Sequence, residues 1–495
     1  MDNRFVVAYD LGTSGVKVAL VNMSGEVLAV ATASYPLYVE HESWAEQDPN
    51  LYWERVCQVT KEVMAKTGFD PANAAGMAFS TMWKGIIPVD KDGNVLHNSI
   101  IWLDCRSVEQ AARLNARFGE GRFVPSDYWP KLLWLKDNKP EILDQAEMVL
   151  EVNSFLKWKA TGAAAVDISN NFIHSFDGDL DSFYSDVMEF CGIDKNKFPG
   201  WVEASDFVGN VTQEAADALG LAPGIPVFGG CSDISAIAIG SGCSDLGRVH
   251  LYFGSSGWIG HCLPHASNEL YNSPFDTKRD ISIDSMQAIG LAFNWVVDRL
   301  YGHEHKEMGD GVYDLINTEI AQIGPGSDGV IATPWFYGER PPMLSENSRG
   351  SFMNLAAPHD RRHMARAILE GVCYTLKMRS LYRQKTKGTV WPPAVLNAVG
   401  GGSLSDPWMQ MLADIMNVPV CVPYSPRHAG AVGTAYCVFV GLGVCKDLNE
   451  VAQTMRFERR FEPNPEAVKA YEAGYAAFLR TCGLDKSQEG DVCGE

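Results

Sequence analysis

The run Asp10-Leu11-Gly12-Thr13-Ser14-Gly15-Val16-Lys17 sets two glycines, two hydroxyls, a carboxylate and an ammonium side by side. Gly12 and Gly15 permit positive φ and close backbone approach. Successive N–H groups in such a turn form an anion-binding nest, and the Thr13 and Ser14 hydroxyls add donors. Asp10 at the end of a strand would be an anion beside a phosphate, which makes sense only with a divalent cation between them. An ordinary hairpin turn has the same composition, so this run alone does not decide. A second copy moves the balance toward phosphate binding: Tyr252-Phe253-Gly254-Ser255-Ser256-Gly257 repeats the Gly-Thr/Ser-Ser-Gly core between two apolar strands, about half a chain later. Self-similarity at that separation signals a duplicated fold with one phosphate loop per half.

Two further stretches bear polar groups on glycine turns. Gly229-Gly230-Cys231-Ser232-Asp233 puts a carboxylate just after a strand, where open α/β sheets bind ligands. A helix N-cap would also use Asp there. In Gly400-Gly401-Gly402-Ser403-Leu404-Ser405-Asp406-Pro407 the glycines let a planar base or ribose approach the backbone, and Asp406-Pro407 starts a helix.

The surrounding elements must hold these turns in place. Apolar runs at 5–9, 16–22 and 27–33, joined by tight turns, predict an antiparallel meander. A helix is expected from Asp48-Pro49, with Tyr52, Val56, Val59 and Val63 on one face. Strands are expected at 76–80 and 85–90, and Ser107 with Gln110 predicts a capping box for a helix through Phe118. Strand and helix alternate as in an α/β protein, and the pattern starts again near 224–263. The domain boundary is expected near Ser241–Gly247.

Composition bounds the function. At 495 residues the chain should form two or more domains. Its net charge of −20 lacks the basic footprint of a nucleic-acid binder and disfavours anionic membrane surfaces. A small anionic ligand would need local backbone donors or a metal. The 12 cysteines show no CxxC and no zinc spacing, which suits reduced thiols in the cytoplasm. The N-terminal apolar run, stopped by Asp10, is too short for a signal peptide. The uncharged stretch Ala429–Cys445 falls just below spanning length and is read as a buried helix.

These motifs, in this order, resemble the FGGY carbohydrate kinases of the sugar kinase/Hsp70/actin superfamily. The resemblance runs from Tyr9 to about Gly443 through DLGTSGVK (10–17), WAEQDP (44–49), WLDCR (102–106), PVFGGCSD (226–233), YFGSSG (252–257), FYGERPP (336–342) and GGGSLSDPWMQMLAD (400–414). PKLLWLKDNKPEIL (130–143) and the spacing around Asp233 look most like the family's xylulokinases. The resemblance implies an α/β fold of two ribonuclease H-like, actin-like ATPase domains flanking a nucleotide and sugar cleft. The first, 1–245, would carry the sugar side, one phosphate loop and the catalytic Asp; the second, 246–495, would carry the other loop and the adenosine site.

It further implies ATP with Mg²⁺, and phosphorylation of a small sugar or polyol, foremost a ketopentose such as xylulose. Ribulose, gluconate, a glycerol-like polyol, or an actin- or Hsp70-like nucleotide switch are the alternatives. Asp233 matches the general base, and Asp10 matches a catalytic, metal-holding carboxylate. Gly12, Thr13, Ser14, Gly15, Lys17, Gly254, Ser255, Gly401, Gly402 and Ser405 would contact the nucleotide. Met82, Trp83, Asp104 and Arg106 would line the sugar site with Asp233. Two departures stand out. Xylulokinases usually read Gly-Gly-Asp-Asn where this chain has Cys231-Ser232-Asp233-Ile234, which alters the pocket wall and not the base. They have Met-His where this chain has Met82-Trp83, which removes a hydrogen-bond acceptor and leaves only an N–H donor. Trp44 and Glu46 read as fold signature, Glu339-Arg340 as a loop brace, and the acidic tail from Gly483 as solvated. No nucleic-acid or membrane partner is expected; a homodimer is compatible.

Overall fold

Tight turns fold the N-terminal segment into a meander. Phe5–Gly12 pairs antiparallel with Gly15–Asn22, which pairs antiparallel with Val27–Ser34. The computed structural model describes residues 3–170, 180–265, 272–341 and 343–484. The acidic tail beyond Leu484, and Pro342 of the FYGERPP stretch, lie outside the described residues. Ala74–Thr81 joins the meander in parallel with Phe5–Gly12. The sheet continues through Pro226–Phe228 to Phe207–Asn210, and Cys231–Ser232 also pairs with Ala74–Thr81.

The first helix, Pro49–Thr67, starts where its signals place it. The Asp48 carboxylate accepts from Asn50 N, and Tyr52, Val56, Val59 and Val63 are buried against one sheet face. The other face is covered by the uncharged helix Ala429–Gly441, which lies among Val6, Ala8, Ala19, Ala78 and Phe228. Among the described residues no helix is long and apolar enough to cross a membrane. The predicted strand at 85–90 narrows to Ile87–Val89, paired with Met148–Leu150. The predicted capping box does not form. Ser107 precedes the helix Val108–Phe118, but its hydroxyl donates to Pro125 O and Gln110 donates to Asp137.

Contacts divide the chain into two compact units, Met1–Gly240 with Leu263–Ser282 and His428–Thr454, and Ser241–Cys262 with Ile283–Arg427 and Met455–Glu495. In the second unit Gly257–Pro264, Val249–Phe253, Leu396–Gly400, Val420–Pro423 and Phe457–Phe461 lie side by side in that order. Val249–Phe253 pairs antiparallel with Gly257–Pro264 and parallel with Leu396–Gly400. Gly257–Pro264 and Arg279–Met286 run across the division between the units. Each unit therefore repeats one plan, an antiparallel hairpin whose first strand has a parallel neighbour. That is the ribonuclease H-like order of actin-like ATPases.

Within the first unit the helices Asp233–Gly240 and Ala429–Gly441 cross in close contact because two glycines lack side chains. A Cβ on Gly433 would lie 1.8 Å from Ala236 O, and one on Gly240 would lie 1.9 Å from Ala429 O. Backbone cannot yield as a side chain can. Gly433→Ala should therefore cost on the order of 1–3 kcal/mol by overpacking. A fall in the urea midpoint checks it, and an unchanged midpoint would mean that the helices part freely.

Candidate functional site

Parallel pairing brings three strand ends of the first unit together. Asp10 is in register with Ser80 and Leu11 with Thr81, while Cys231 is in register with Ser80 and Ser232 with Thr81. Asp10 and the segment leading into Asp233 thus flank one central strand at its carboxyl end, about two strand spacings apart, or ~10 Å. Open α/β sheets bind ligands at that edge. Met82 N donates to Leu11 O at 2.8 Å, which fixes Met82-Trp83 beside the same edge.

Both carboxyls are perturbed. Burial, reinforced by the nearby Asp10 charge, pushes Asp233 up to about 7. Burial also raises Asp10, with Lys17, whose Nζ lies 3.9 Å from Oδ2, pulling the other way. Two carboxyls in range of each other and partly withheld from water resist simultaneous ionisation. Asp233 opens the helix Asp233–Gly240, and its Oδ1 accepts from Ile234 N at 2.9 Å. The helix-start and acid–base readings hold together, since its other oxygen is not used by that bond. Gly430 reflects the crowding at Asp10, because a Cβ there would lie 2.8 Å from Oδ2.

The first glycine turn is a two-residue hairpin, with Gly12 and Gly15 in register. Neither glycine uses the positive φ that it permits. Gly15 is required by close approach instead, as a Cβ would sit 2.3 Å from Ala33 O on the adjacent strand. Gly12 has open space around it. Thr13 at the tip is held from two sides: its carbonyl accepts from Gln47 Nε2 at 2.8 Å, and its hydroxyl accepts from Trp102 Nε1 at 3.0 Å. The Thr13 hydroxyl proton stays available to donate. Gln47 and Trp102 belong to WAEQDP and WLDCR, motifs quoted above without a role for these two side chains.

Asp104 and Arg106 lie inside the protein rather than at the surface. Arg106 donates to both Asp104 oxygens and to Glu46 Oε1, and its guanidinium carbon sits over the Trp44 ring at 3.8 Å and over the Trp134 ring at 4.7 Å from their centroids. Asp104 Oδ2 also accepts from Ala45 N at 2.7 Å. With its oxygens so occupied, the pair braces the segments that carry Gln47 and Trp102. Trp44 and Glu46 share that brace.

Trp83 is half-buried, and the Lys84 ammonium sits over its ring at 4.3 Å. Lys84 has a positive φ of 64°, a strained setting for a residue with a side chain, and pairs with buried Asp127 at 2.7 Å. Lys131, fully buried, donates to the carbonyls of Lys84, Ile100 and Ile101, and burial lowers it to about 7. Sequence reasoning missed this group. Its one signal was a lysine inside the apolar run of 128–135.

In the second unit the matching loop has three residues, since Phe253 pairs with Gly257. The Gly254 carbonyl accepts from Gly290 N, and that of Ser255 from Ile289 N and Leu291 N. Phe253 is also in register with Gly400, so the triple-glycine turn comes to the same sheet end. Gly400 has φ of 96°, and Gly401 has no atom within 4 Å of where a Cβ would stand. The helix that follows starts at Asp406-Pro407 as expected, with Ser405 as its cap, and the Ser405 hydroxyl donates to Asn317 Oδ1 at 2.6 Å. Glu339 accepts from Gln287 N and Arg340 N and lies 3.8 Å from Arg379, a brace within this unit.

Among the described residues no cluster of three or more His, Cys, Asp or Glu side chains can hold a metal alone. Asp10 at the strand end fits an ion that takes one or two carboxylates and completes its shell with water and phosphate oxygens, as Mg²⁺ does.

Residues 5–240 match the N-terminal domain, and residues 273–442 the C-terminal domain, of the FGGY family of carbohydrate kinases. A xylulose kinase of Bacillus subtilis (strain 168) is 27% identical over 487 residues, covering 95% of each chain. A gluconokinase of Bacillus licheniformis is 24% identical, covering 96% of this chain and 95% of its own. The crystal structure of a ligand-bound xylulose kinase from Lactobacillus acidophilus superposes with a TM-score of 0.80 at 23% identity, covering 97% of this chain and 98% of that one.

Proposed function

Because the chain belongs to the FGGY family of carbohydrate kinases and is an ATP-dependent kinase of a small sugar, we propose that Asp233 is its general base and a ketopentose such as xylulose its acceptor. The observation that carries the base is the Asp233 carboxyl at the strand ends, poised near neutral pH by burial and by Asp10. A group that titrates there is ionised often enough to accept a proton and basic enough to want one.

The ionised carboxylate takes the acceptor hydroxyl's proton as that oxygen bonds to the γ-phosphorus of ATP. The bond from γ-phosphorus to the bridging oxygen breaks, and ADP leaves with the electron pair. Thr13 and Ser14 at the tip donate to phosphate oxygens, Gly12 and Gly15 let the backbone come close to them, and Lys17 adds charge. Gly254 and Ser255 serve the phosphates from 246–495, where Gly401, Gly402 and Ser405 take the adenosine. Asp10 would hold the magnesium ion, which neutralises charge on the phosphoryl group. Asp104 and Arg106, which bond each other, act by bracing the segments that hold Thr13 rather than by contact with the sugar.

The acceptor is the finer part of the proposal. The likeness to a xylulose kinase supports a ketopentose, and the likeness to a gluconokinase keeps gluconate as the alternative. A coupled ADP-release assay over xylulose, ribulose, gluconate and glycerol tests it; turnover confined to gluconate or glycerol would refute the ketopentose. Trp83 should decide much of the ranking. An indole wall discriminates by contact, worth roughly 1–3 kcal/mol per group, whereas a histidine pairs with a hydroxyl. Trp83→His should raise kcat/KM for D-xylulose relative to the other ketoses by about 10-fold or more. An unchanged ranking would make Trp83 a packing residue.

A further inference from the structure

Two buried charges of the first unit take no part in the chemistry above. Lys157, on the helix Val152–Thr161, donates from Nζ to Gly229 O at 2.9 Å. Asp167 ends the short strand Val166–Asp167, where its Oδ1 accepts from Ser169 N at 2.8 Å and from the Ser169 hydroxyl. Ser169 Oγ in turn accepts from Ser232 N at 2.8 Å. All four side chains, Lys157, Asp167, Ser169 and Ser232, are fully buried. Lys157 lies in the field of Glu151 first and of Asp167 second, and Cys231 lies in the fields of both Asp167 and Asp233.

These bonds grip one turn at both ends. Lys157 holds the carbonyl of Gly229, and Ser169, itself oriented by Asp167, holds the N–H of Ser232, the residue before Asp233. The turn needs holding. Gly230 is at positive φ, and Asn153 Nδ2 must reach Phe79 O directly beside it. Burying a charged side chain is costly, and apolar side chains of similar volume usually give equal or greater stability, so stability alone does not account for these two. We propose that Lys157 and Asp167 are positioning residues that clamp the Gly229–Ser232 turn and thereby aim the Asp233 carboxylate at the acceptor hydroxyl. The inference rests on the reading of Asp233 as the base.

Ser169→Ala removes the link between Asp167 and the turn while leaving Lys157 on Gly229 O and both charged side chains in place. A base displaced by a fraction of an ångström to 1 Å loses up to about 100-fold in rate. The expected result is a kcat lowered about 10- to 100-fold, with KM for sugar and for ATP within about 2-fold of wild type, and recovery of most of the kcat in Ser169→Thr, which restores the hydroxyl. Wild-type kcat in Ser169→Ala, a rise confined to KM, or a threonine variant as slow as the alanine one would overturn the clamp. If Ser169→Ala does not accumulate as folded protein, Ser169→Cys carries the test, since it keeps the volume and weakens the acceptor; wild-type kcat there overturns the proposal, and the kcat-only loss supports it. Asp233→Asn, assayed in parallel, separates the two levels: if it keeps its kcat the base is wrong, whereas an inactive Asp233→Asn beside a wild-type Ser169→Ala removes only the clamp.

Discussion

Asp233→Asn should yield a folded, nucleotide-binding protein whose kcat has dropped by about 10²–10⁴-fold, the usual cost of losing a general base. The amide keeps the shape and can still accept from Ile234 N, so the helix start survives while proton acceptance does not. The same substitution should stabilise the protein at alkaline pH. Burial and Asp10 raise the Asp233 carboxyl to about 7, so the fold prefers its protonated form. That preference adds stability below the ordinary carboxylate range and is lost as pH rises through about 7. The asparagine has no proton to lose, so its Tm should exceed the wild-type Tm at pH 8 and approach it at pH 5. For the wild type, kcat/KM should climb with pH and level off above about 7, as the base of the free enzyme ionises. A variant that kept wild-type turnover would remove Asp233 from the mechanism. One that lost turnover and Tm together would mark it as structural.

How much of this was legible in the chain depended on whether the deciding partners were local. The meander and the Pro49–Thr67 helix follow from turn residues, a cap and a 3.6-residue period, all within a few positions of one another. The glycine turn at 12–15 was legible too, but not the backbone that Gly15 approaches. Gly15 answers to a carbonyl on a strand that returns later in the chain, and periodicity does not reveal which backbone will lie against it. The capping box at Ser107 and Gln110 fails because Pro125 and Asp137 offer both side chains better partners. Residues 428–454 join the first unit through contacts with strands hundreds of positions earlier, which no window along the sequence contains. At the site, the motifs pointed to Asp10, Thr13 and Asp233 directly. The side chains that hold them, Gln47, Trp102, Lys157 and Asp167, were invisible because a buried lysine or glutamine looks like an exposed one until the core closes over it.

Arg106 provides the sharpest case of such closure and the second large expected effect. Its side chain is 1% exposed and that of Asp104 is fully enclosed. Arg106→Ala would leave the Asp104 carboxylate with only backbone donors at Ala45 and Arg106, in a space from which water is excluded. Removing one partner of a buried pair costs about 3–5 kcal/mol, mostly as the uncompensated charge. The urea midpoint should fall accordingly. The loss should also reach the nucleotide. Asp104 fixes Ala45, Ala45 O accepts from Ile101 N, and the neighbouring Gln47 and Trp102 are the two side chains that hold Thr13. At temperatures where the variant remains folded, KM for ATP should therefore rise more than KM for the sugar. Arg106→Lys should recover little, because one ammonium cannot bond both Asp104 oxygens and Glu46 while filling the space over the Trp44 and Trp134 rings. The double variant Asp104→Asn with Arg106→Met should recover most of the stability, since no buried charge is left unpaired. It should not recover the ATP affinity if the pair's function is to place Thr13. A double variant that regained both would mean that packing around Trp44 and Trp134, and not the ion pair, sets the loop.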